Sequence, residues 1–480
     1  MQKWRSLPVK KRFRWIVIPL FFILLFLAVA REIFREPVEI KHDALSRIRE
    51  RGELVALTDK NSLDYFVYRG EPMGYQLDLL SSFADYLGFP LRIITSNDVS
   101  RLYYYMDMNI ADIIALDLPV TNEGKKLARF SQPFGETRLV VVQRKASGSG
   151  KKEHFVKTLE DFSADTIHIQ HNLFSLALIK KSLKKARHVI LTEESSRNEE
   201  ELIRMVSEGK ISFMVCNENL ANVIKRHYRN IDASLVISHF TEYAWGTSLA
   251  SDSLRQEINN WMSDKKTKKD NRYTYLSYFD NPRVVNYFQS DLFSIKTSKL
   301  SPFDDELRDL STKIYWDWRL LASLVYEESN FQLGLVSSHN ARGLMQMMPE
   351  TARRFGMDSI SSTRQQLMAG VRYIHFLDEQ LPDEIKNPKE RIYFILASYN
   401  VGPAKVLAAR EKAMKYNRDP NKWHGGVDYY LTRRSKKAPV LDPDSAIDPS
   451  WGAAVGFVDE ILERYHHYKN IIPEYPPKSN

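Results

Sequence analysis

At 480 residues the chain is about three times the usual single-domain length, so two or three globular units are expected. Its 43% apolar and 27% charged content exclude a fibrous or largely disordered chain. Six of the nine net positive charges come from Lys3, Arg5, Lys10, Lys11, Arg12 and Arg14, which leaves a body only mildly basic overall and argues against a nucleic-acid partner.

Residues 1–14 read as a basic segment on the cytoplasmic side. Residues 15–30 carry no charge and are short for a spanning helix of about twenty residues. With Ala28 and Ala30 forming an A-x-A pattern, this stretch is either a signal peptide or a membrane anchor, and both readings carry the rest of the chain out of the cytoplasm. The single cysteine, Cys216, excludes a disulfide framework and a cysteine metal site, and reads as a buried small apolar residue.

Residues 44–285 alternate short β-rich runs with helical ones: ELVALT, YQLDLLSSFADYLG, LRIIT, ADIIALD and LVVVQRK, then TIHIQ, HVILTE, ELIRMVSEG, ISFMVCN, SLVISH and SLRQEINNWMSD. The alternation predicts α/β units with mostly parallel sheets. The Lys145–Lys152 stretch, rich in glycine and serine, is an exposed loop. Residues 286–302 are polar and read as a linker, residues 303–470 are dominated by helical periodicity, and 471–480 form a tail. The expected fold is multidomain, a two-lobed α/β domain followed by an all-α domain.

In RLLASLVYEESNF, Leu321, Leu324 and Val325 form one helix stripe, and the next position of that stripe is Glu328. A carboxylate aimed inward is desolvated, and desolvation raises its pKa, as a general acid at neutral pH requires; a Glu satisfied by a hydrogen bond inside the bundle is the alternative. Glu327 points about 100° away and is expected to be solvated. Further on, SSHNARGLMQMMPETA sets Met345, Met347 and Met348 too close together to share one face, and Pro349 opens a new helix with Glu350 as a solvated first-turn acid. LASYNVGPAKV ends a helix in Tyr399 and Asn400 before Gly402 and Pro403, either a plain stop signal or two polar groups at the mouth of a site.

These three segments together resemble the lytic transglycosylase domain of the soluble-transglycosylase type, a helical relative of goose-type lysozyme. The resemblance rests on the Glu328-Ser329 pair, on Ala341–Ala352 and on Ala397–Pro403, in the family's order and approximate spacing. It implies that Glu328 is catalytic, that Ser337, Met345, Gln346, Tyr399 and Asn400 contact sugar or position the glutamate, and that no metal or cofactor takes part. Most glycosidases use two carboxylates; the matched motifs hold one. The resemblance therefore implies a single acid and base cutting peptidoglycan glycan strands between N-acetylmuramic acid and N-acetylglucosamine and leaving 1,6-anhydromuramoyl ends. Asn340 departs from the glycine common in the family, and asparagine tolerates the positive φ expected there.

The first domain resembles the family 3 bacterial solute-binding proteins through Gly70–Gly88 and Leu118–Phe134. In amino-acid-binding relatives an arginine of the second stretch clamps a ligand carboxylate; here Gly124 takes that place, with Lys125 or Lys126 as a possible point charge. The ligand, a small solute or a muropeptide, stays open. Tyr75 and Asp78 either line the cleft or serve as a half-buried aromatic and a helix-start acid. A receptor domain ahead of such a catalytic domain implies an enzyme of the cell envelope, on the periplasmic side and membrane-associated.

Overall fold

A computed structural model describes residues 43–145, 154–186, 188–281, 287, 290–358, 360–431 and 452–472. Residues 1–14, the apolar 15–30 stretch, nearly all of the Gly-Ser loop and the last eight residues lie outside the described residues. No described helix is long and apolar enough to cross a membrane.

The α/β domain holds two sheets. The first runs β4 (Leu91–Thr95), β1 (Leu54–Thr58), β5 (Ile113–Pro119), β13 (Thr241–Thr247), β6 (Arg129–Phe130), with β7 (Gly135–Thr137) also on β13. The second runs β10 (Ile190–Glu194), β9 (Thr166–Gln170), β11 (Phe213–Asn217), β8 (Leu139–Arg144), β12 (Ile231–Val236). Every residue of β1 is buried, which suits a continuous apolar run at the centre of a two-faced sheet. Cys216 lies buried in β11.

The sheets are mixed rather than mostly parallel. β1 pairs in parallel with β4 and β5, but β13 is antiparallel to β5, β6 and β7, and β8 is antiparallel to β11 and β12. The cause is topological. The chain leaves the first sheet through Arg138 into β8 and returns from β12 into β13, so each lobe receives one strand running against its own βαβ units. These two crossings make the domain two-lobed.

Tyr75 opens the Tyr75–Leu87 helix and is buried, while Asp78 in its first turn accepts from the Tyr278 hydroxyl at 2.9 Å. Neither lines the cavity between the lobes, nor does Lys125 or Lys126, both exposed. The point charge expected from those lysines is therefore not delivered to the cleft.

The connector is packed rather than loose. Phe293 and Leu300 are buried, Ser294 Oγ accepts from Val67 N at 2.9 Å, and the Phe293 ring meets Phe66 at 5.4 Å. It thus lies along a hairpin formed by β2 (Phe66–Tyr68) and β3 (Glu71–Met73), strands too short to stand out in sequence.

In the helical domain, the long run from Asp305 to Ser329 divides into two helices, Asp304–Ser311 and Trp318–Ser329. Between them Tyr315 takes a left-handed conformation (φ 56°), and Asp317 accepts from Arg319 N at 2.9 Å, which caps the second helix. The helices Thr363–Glu379, Pro388–Val401 and Pro403–Lys415 follow, and the last, Gly452–Ile471, packs along Trp318–Ser329 and Pro388–Val401. That last helix also reaches the first domain: Tyr468 donates to Gly70 O, Asn470 Nδ2 donates to Ile93 O at 2.8 Å, and His467 Nδ1 lies 2.7 Å from the Tyr65 hydroxyl.

Candidate active site

The Trp318–Ser329 helix buries Leu320, Leu321, Leu324 and Val325 and stops where Asn330 and Phe331 take φ values of 50° and 59°. Two successive non-glycine residues in that region turn the chain sharply, a costly conformation of the kind found at functional sites. The last turn sends three neighbours in three directions. Ser329 is buried, its Oγ 2.8 Å from Leu344 O and 3.0 Å from Val325 O, so one hydroxyl ties the helix to the following loop. Glu327 is half-buried rather than solvated, because Arg464 of the last helix meets its Oε2 at 2.8 Å. The same guanidinium lies over the Tyr326 ring, 4.6 Å from its centroid.

Glu328, between them, is only partly accessible. Burial, and then the charge of Glu327, push its carboxyl up to about 8. It is therefore protonated at neutral pH, the state a general acid needs.

The loop facing it is held from several sides. Arg342 and Met347 exchange backbone hydrogen bonds at 3.0 and 3.1 Å. Gln346, at φ 42°, donates from Nε2 to Leu335 O at 3.0 Å and Gly343 O at 2.9 Å. Gly343 is at φ 77°, and a Cβ there would lie 2.4 Å from Gln366 Oε1, the atom that accepts from Leu344 N at 3.2 Å. Ser337 Oγ accepts from His339 N and Ala341 N at 3.2 and 3.0 Å, and Asn340 has φ 64°, as its asparagine allows.

Met345 is 1% exposed and lies on Gly370, where a Cβ would be 2.0 Å from its Sδ. Met347 is buried and Met348 exposed, as their spacing requires. Pro349 opens the Pro349–Arg354 helix, with Glu350 exposed in the first turn. Tyr399 donates to Met345 O at 2.7 Å. Burial, and then the charge of Glu328, raise its hydroxyl well above the usual range, so the ring lies within electrostatic reach of the glutamate. Asn400 is exposed in the same last turn, before Gly402 at φ 89°.

The sequence-predicted residues thus gather round one helix end, with differing tasks. Tyr399 lies within electrostatic reach of Glu328; Met345 offers a carbonyl and a core side chain; Gln346 and Ser337 spend polar atoms on the loop; Asn400 faces solvent. Sequence reasoning missed Gly370, Gln366 and Arg464. Gly370 had a signal, a glycine inside a helical pattern, which marks close packing. Arg464, over a hundred residues away on another helix, had none.

The family description "Transglycosylase SLT domain" matches residues 308–422, and "Bacterial extracellular solute-binding proteins, family 3" matches residues 54–281. Two relatives, each named membrane-bound lytic murein transglycosylase F, align over nearly the whole chain. That of Desulfosudis oleivorans is 27% identical over 88% of this chain and 91% of its own length. That of Alcanivorax borkumensis is 26% identical over 88% of this chain and 89% of its own. The chain is a lytic transglycosylase in which a solute-binding domain precedes the transglycosylase domain. Among solved structures, a mutant of ArgBP from T. maritima is 19% identical and covers 50% of this chain and 100% of its own, with a TM-score of 0.44. In the transglycosylase, the helix end that carries Glu328 lies within the SLT match, and both lobes lie within the solute-binding match.

Proposed function

We propose that the chain cuts the β-1,4 bond between N-acetylmuramic acid and N-acetylglucosamine in peptidoglycan, with Glu328 as sole acid and base. The observation that carries this reading is a protonated, partly buried glutamate whose nearest acid, Glu327, is engaged by Arg464. A hydrolase of the usual type needs a second carboxylate on the far side of the scissile bond, and Glu327 is turned away on the same helix. In the proposed reaction the Glu328 proton passes to the glycosidic oxygen as the C1–O bond breaks, and the N-acetylglucosamine side leaves with a free hydroxyl. The muramoyl N-acetyl oxygen shields the developing positive charge at C1. Glu328, now a carboxylate, takes the proton of the muramoyl C6 hydroxyl as that oxygen bonds to C1. No water is consumed, so the product is a 1,6-anhydromuramoyl end.

Tyr399, Met345 and Ser329 position the glutamate and its loop, while Gln346, Ser337 and Asn400 border the sugar path. Residues 44–285 form the receptor part, 286–302 the connector, 303–470 the catalytic part and 471–480 the tail. The names of the relatives support membrane association in the cell envelope, through residues 15–30, with the body on the periplasmic side.

The test is mass spectrometry of purified peptidoglycan digested by the wild type beside Glu328→Gln. Anhydromuropeptides from the wild type alone support the reading. Reducing ends heavier by one water make the enzyme a lysozyme, and no product from either leaves the helical part a glycan holder.

A further inference from the structure

The chain beyond residue 14 carries a net charge of only +3, and that charge is unevenly placed. The Lys265–Tyr275 helix alone holds Lys265, Lys266, Lys268, Lys269 and Arg272 against one acid, Asp270, a net +4. Everything else beyond residue 14 is therefore close to neutral, and the basicity of the body is gathered on one helix of the first lobe.

The helix sorts its residues by face. At about 100° per residue, the five cations and Tyr273 fall on a single arc of about 160°, with Asp270 just past its edge. All six are exposed, Tyr273 at 60%, whereas Thr267, Asn271, Thr274 and Tyr275 on the opposite arc are partly buried. No residue of this helix is fully buried, so its outer face is shaped by something other than the needs of the core.

The cations of the arc are unneutralised. Among the described residues no carboxylate forms an ion pair or hydrogen bond with any of the five side chains, and Lys269 instead lies 5.8 Å from the centre of the Tyr273 ring. The acid just ahead of the helix, Asp264, is spent on its N-terminus, accepting from Lys266 N and Thr267 N at 2.8 and 3.0 Å. Like charges three and four residues apart, as Lys265 with Lys269 and Lys268 with Arg272, repel one another. A surface of negative charge outside the protein would relieve that repulsion along the whole arc at once.

The path of the chain decides which surface. The first described residue, Asp43, accepts a hydrogen bond from Ser253 Oγ in the first turn of the Asp252–Ser263 helix. That helix is 12 residues long, about 18 Å, and a single residue separates it from Lys265. Residues 31–42, which join Asp43 to the apolar 15–30 stretch, reach about 40 Å at most when extended. A bilayer holding residues 15–30 thus stays within reach of the basic helix at all times, while a soluble polyanion has to be captured from solution.

We propose that the outer face of the Lys265–Tyr275 helix rests on an anionic lipid surface, its five cations among the headgroups and Tyr273 at their level. The proposal rests on reading residues 15–30 as the membrane attachment, and adds a second contact that fixes which side of the first lobe faces the bilayer. The test is amine acetylation of the full chain on vesicles of phosphatidylcholine alone and of phosphatidylcholine with about 30% phosphatidylglycerol, read lysine by lysine by mass spectrometry. Lys157, exposed on the other lobe, is the internal reference. At about 50 mM salt the rates at Lys265, Lys266, Lys268 and Lys269 should fall at least about threefold on the anionic vesicles, and the difference should vanish at about 0.5 M salt. Lys268→Gln with Arg272→Gln should remove at least about half of the protection at Lys265 and Lys269 while the Tm in solution is kept or raised, since repulsion is relieved.

A chain that binds both kinds of vesicle with equal rates at these lysines would overturn the proposal and leave the attachment standing. Protection on neutral vesicles, or protection indifferent to salt and to the substitutions, would also overturn it. Protection by soluble polyphosphate with none on anionic vesicles would overturn it in favour of a polyanionic partner. Binding to neither vesicle would overturn both readings, and salt-sensitive protection with binding to anionic vesicles alone would support the helix contact while removing the attachment.

Discussion

Glu327→Gln separates the two influences on the catalytic carboxyl, because the substitution keeps the shape of the residue and removes only its charge. Burial is the larger cause of the rise of Glu328 to about 8, and Glu327 the second. Like charges on adjacent residues with partial solvent access interact by on the order of 1 kcal/mol, a little under one pKa unit. The variant should therefore hold Glu328 near 7, burial retaining the rest. Since the general acid must be protonated, activity falls as pH rises through its pKa. The expected loss is about 1.5-fold at pH 7 and about fivefold at pH 8.5, with no loss at pH 5.5. Release of soluble muropeptides from purified peptidoglycan, followed from pH 5 to 10 at fixed ionic strength, measures it. An alkaline limb that stays in place or moves upward would refute the electrostatic account. A loss equal to that of Glu328→Gln at every pH would refute the assignment of the acid itself.

Glu328→Gln should abolish activity by about a thousandfold or more while stabilising the fold at high pH. The folded carboxyl is raised, so the native state loses stability as pH rises from the unfolded value of about 4.5 through about 8. The gain in stability over wild type should be absent at pH 4 and full above pH 8, on the order of 2 kcal/mol after allowance for solvent screening, as read by calorimetry. Tyr399→Phe removes the bond to Met345 O and should cost about 1 kcal/mol in denaturant unfolding with a larger fall in activity. Gly370→Ala sets a methyl group against Met345 Sδ and should cost about 1–3 kcal/mol, with activity falling because the loop is displaced. Gly70→Ala, at φ 84° with a Cβ 2.5 Å from Phe331 and 2.6 Å from Tyr326, should lower Tm and loosen the end of the catalytic helix, visible as faster amide exchange at residues 326–331.

Periodicity carried the site a long way. The stripe through Leu321, Leu324 and Val325 leads to Glu328 whatever the rest of the chain does, since a helix face is a local property. The Thr166–Gln170 and Leu91–Thr95 strands were equally legible, being short apolar runs between turns. What could not be read depends on distant partners. Glu327 looked solvated because Arg464 reaches it from the last helix. The motif alone leaves open whether Met345 contacts sugar or positions the glutamate; in the fold its side chain packs on Gly370 and its carbonyl accepts from Tyr399. The antiparallel β13 was missed because strand direction follows from the path between lobes, which no window of residues records. The connector reads as a polar linker because its buried apolar residues, Phe293 and Leu300 among them, are spaced among polar ones.

The last helix has a bearing on the order in which the protein can be completed. Tyr65, Gly70 and Ile93 leave the ribosome early, but their partners His467, Tyr468 and Asn470 lie 402, 398 and 377 residues further along the chain. Until synthesis is nearly over, the hairpin is covered only by the connector, and Gly70 and the edge strand β4 lack the partners that the last helix brings. An exposed strand edge beside buried-type aromatics invites pairing with other chains. The early domain therefore waits for the end of translation before its surface is finished, and a chain shortened by its final helix would leave two domains unsealed rather than one.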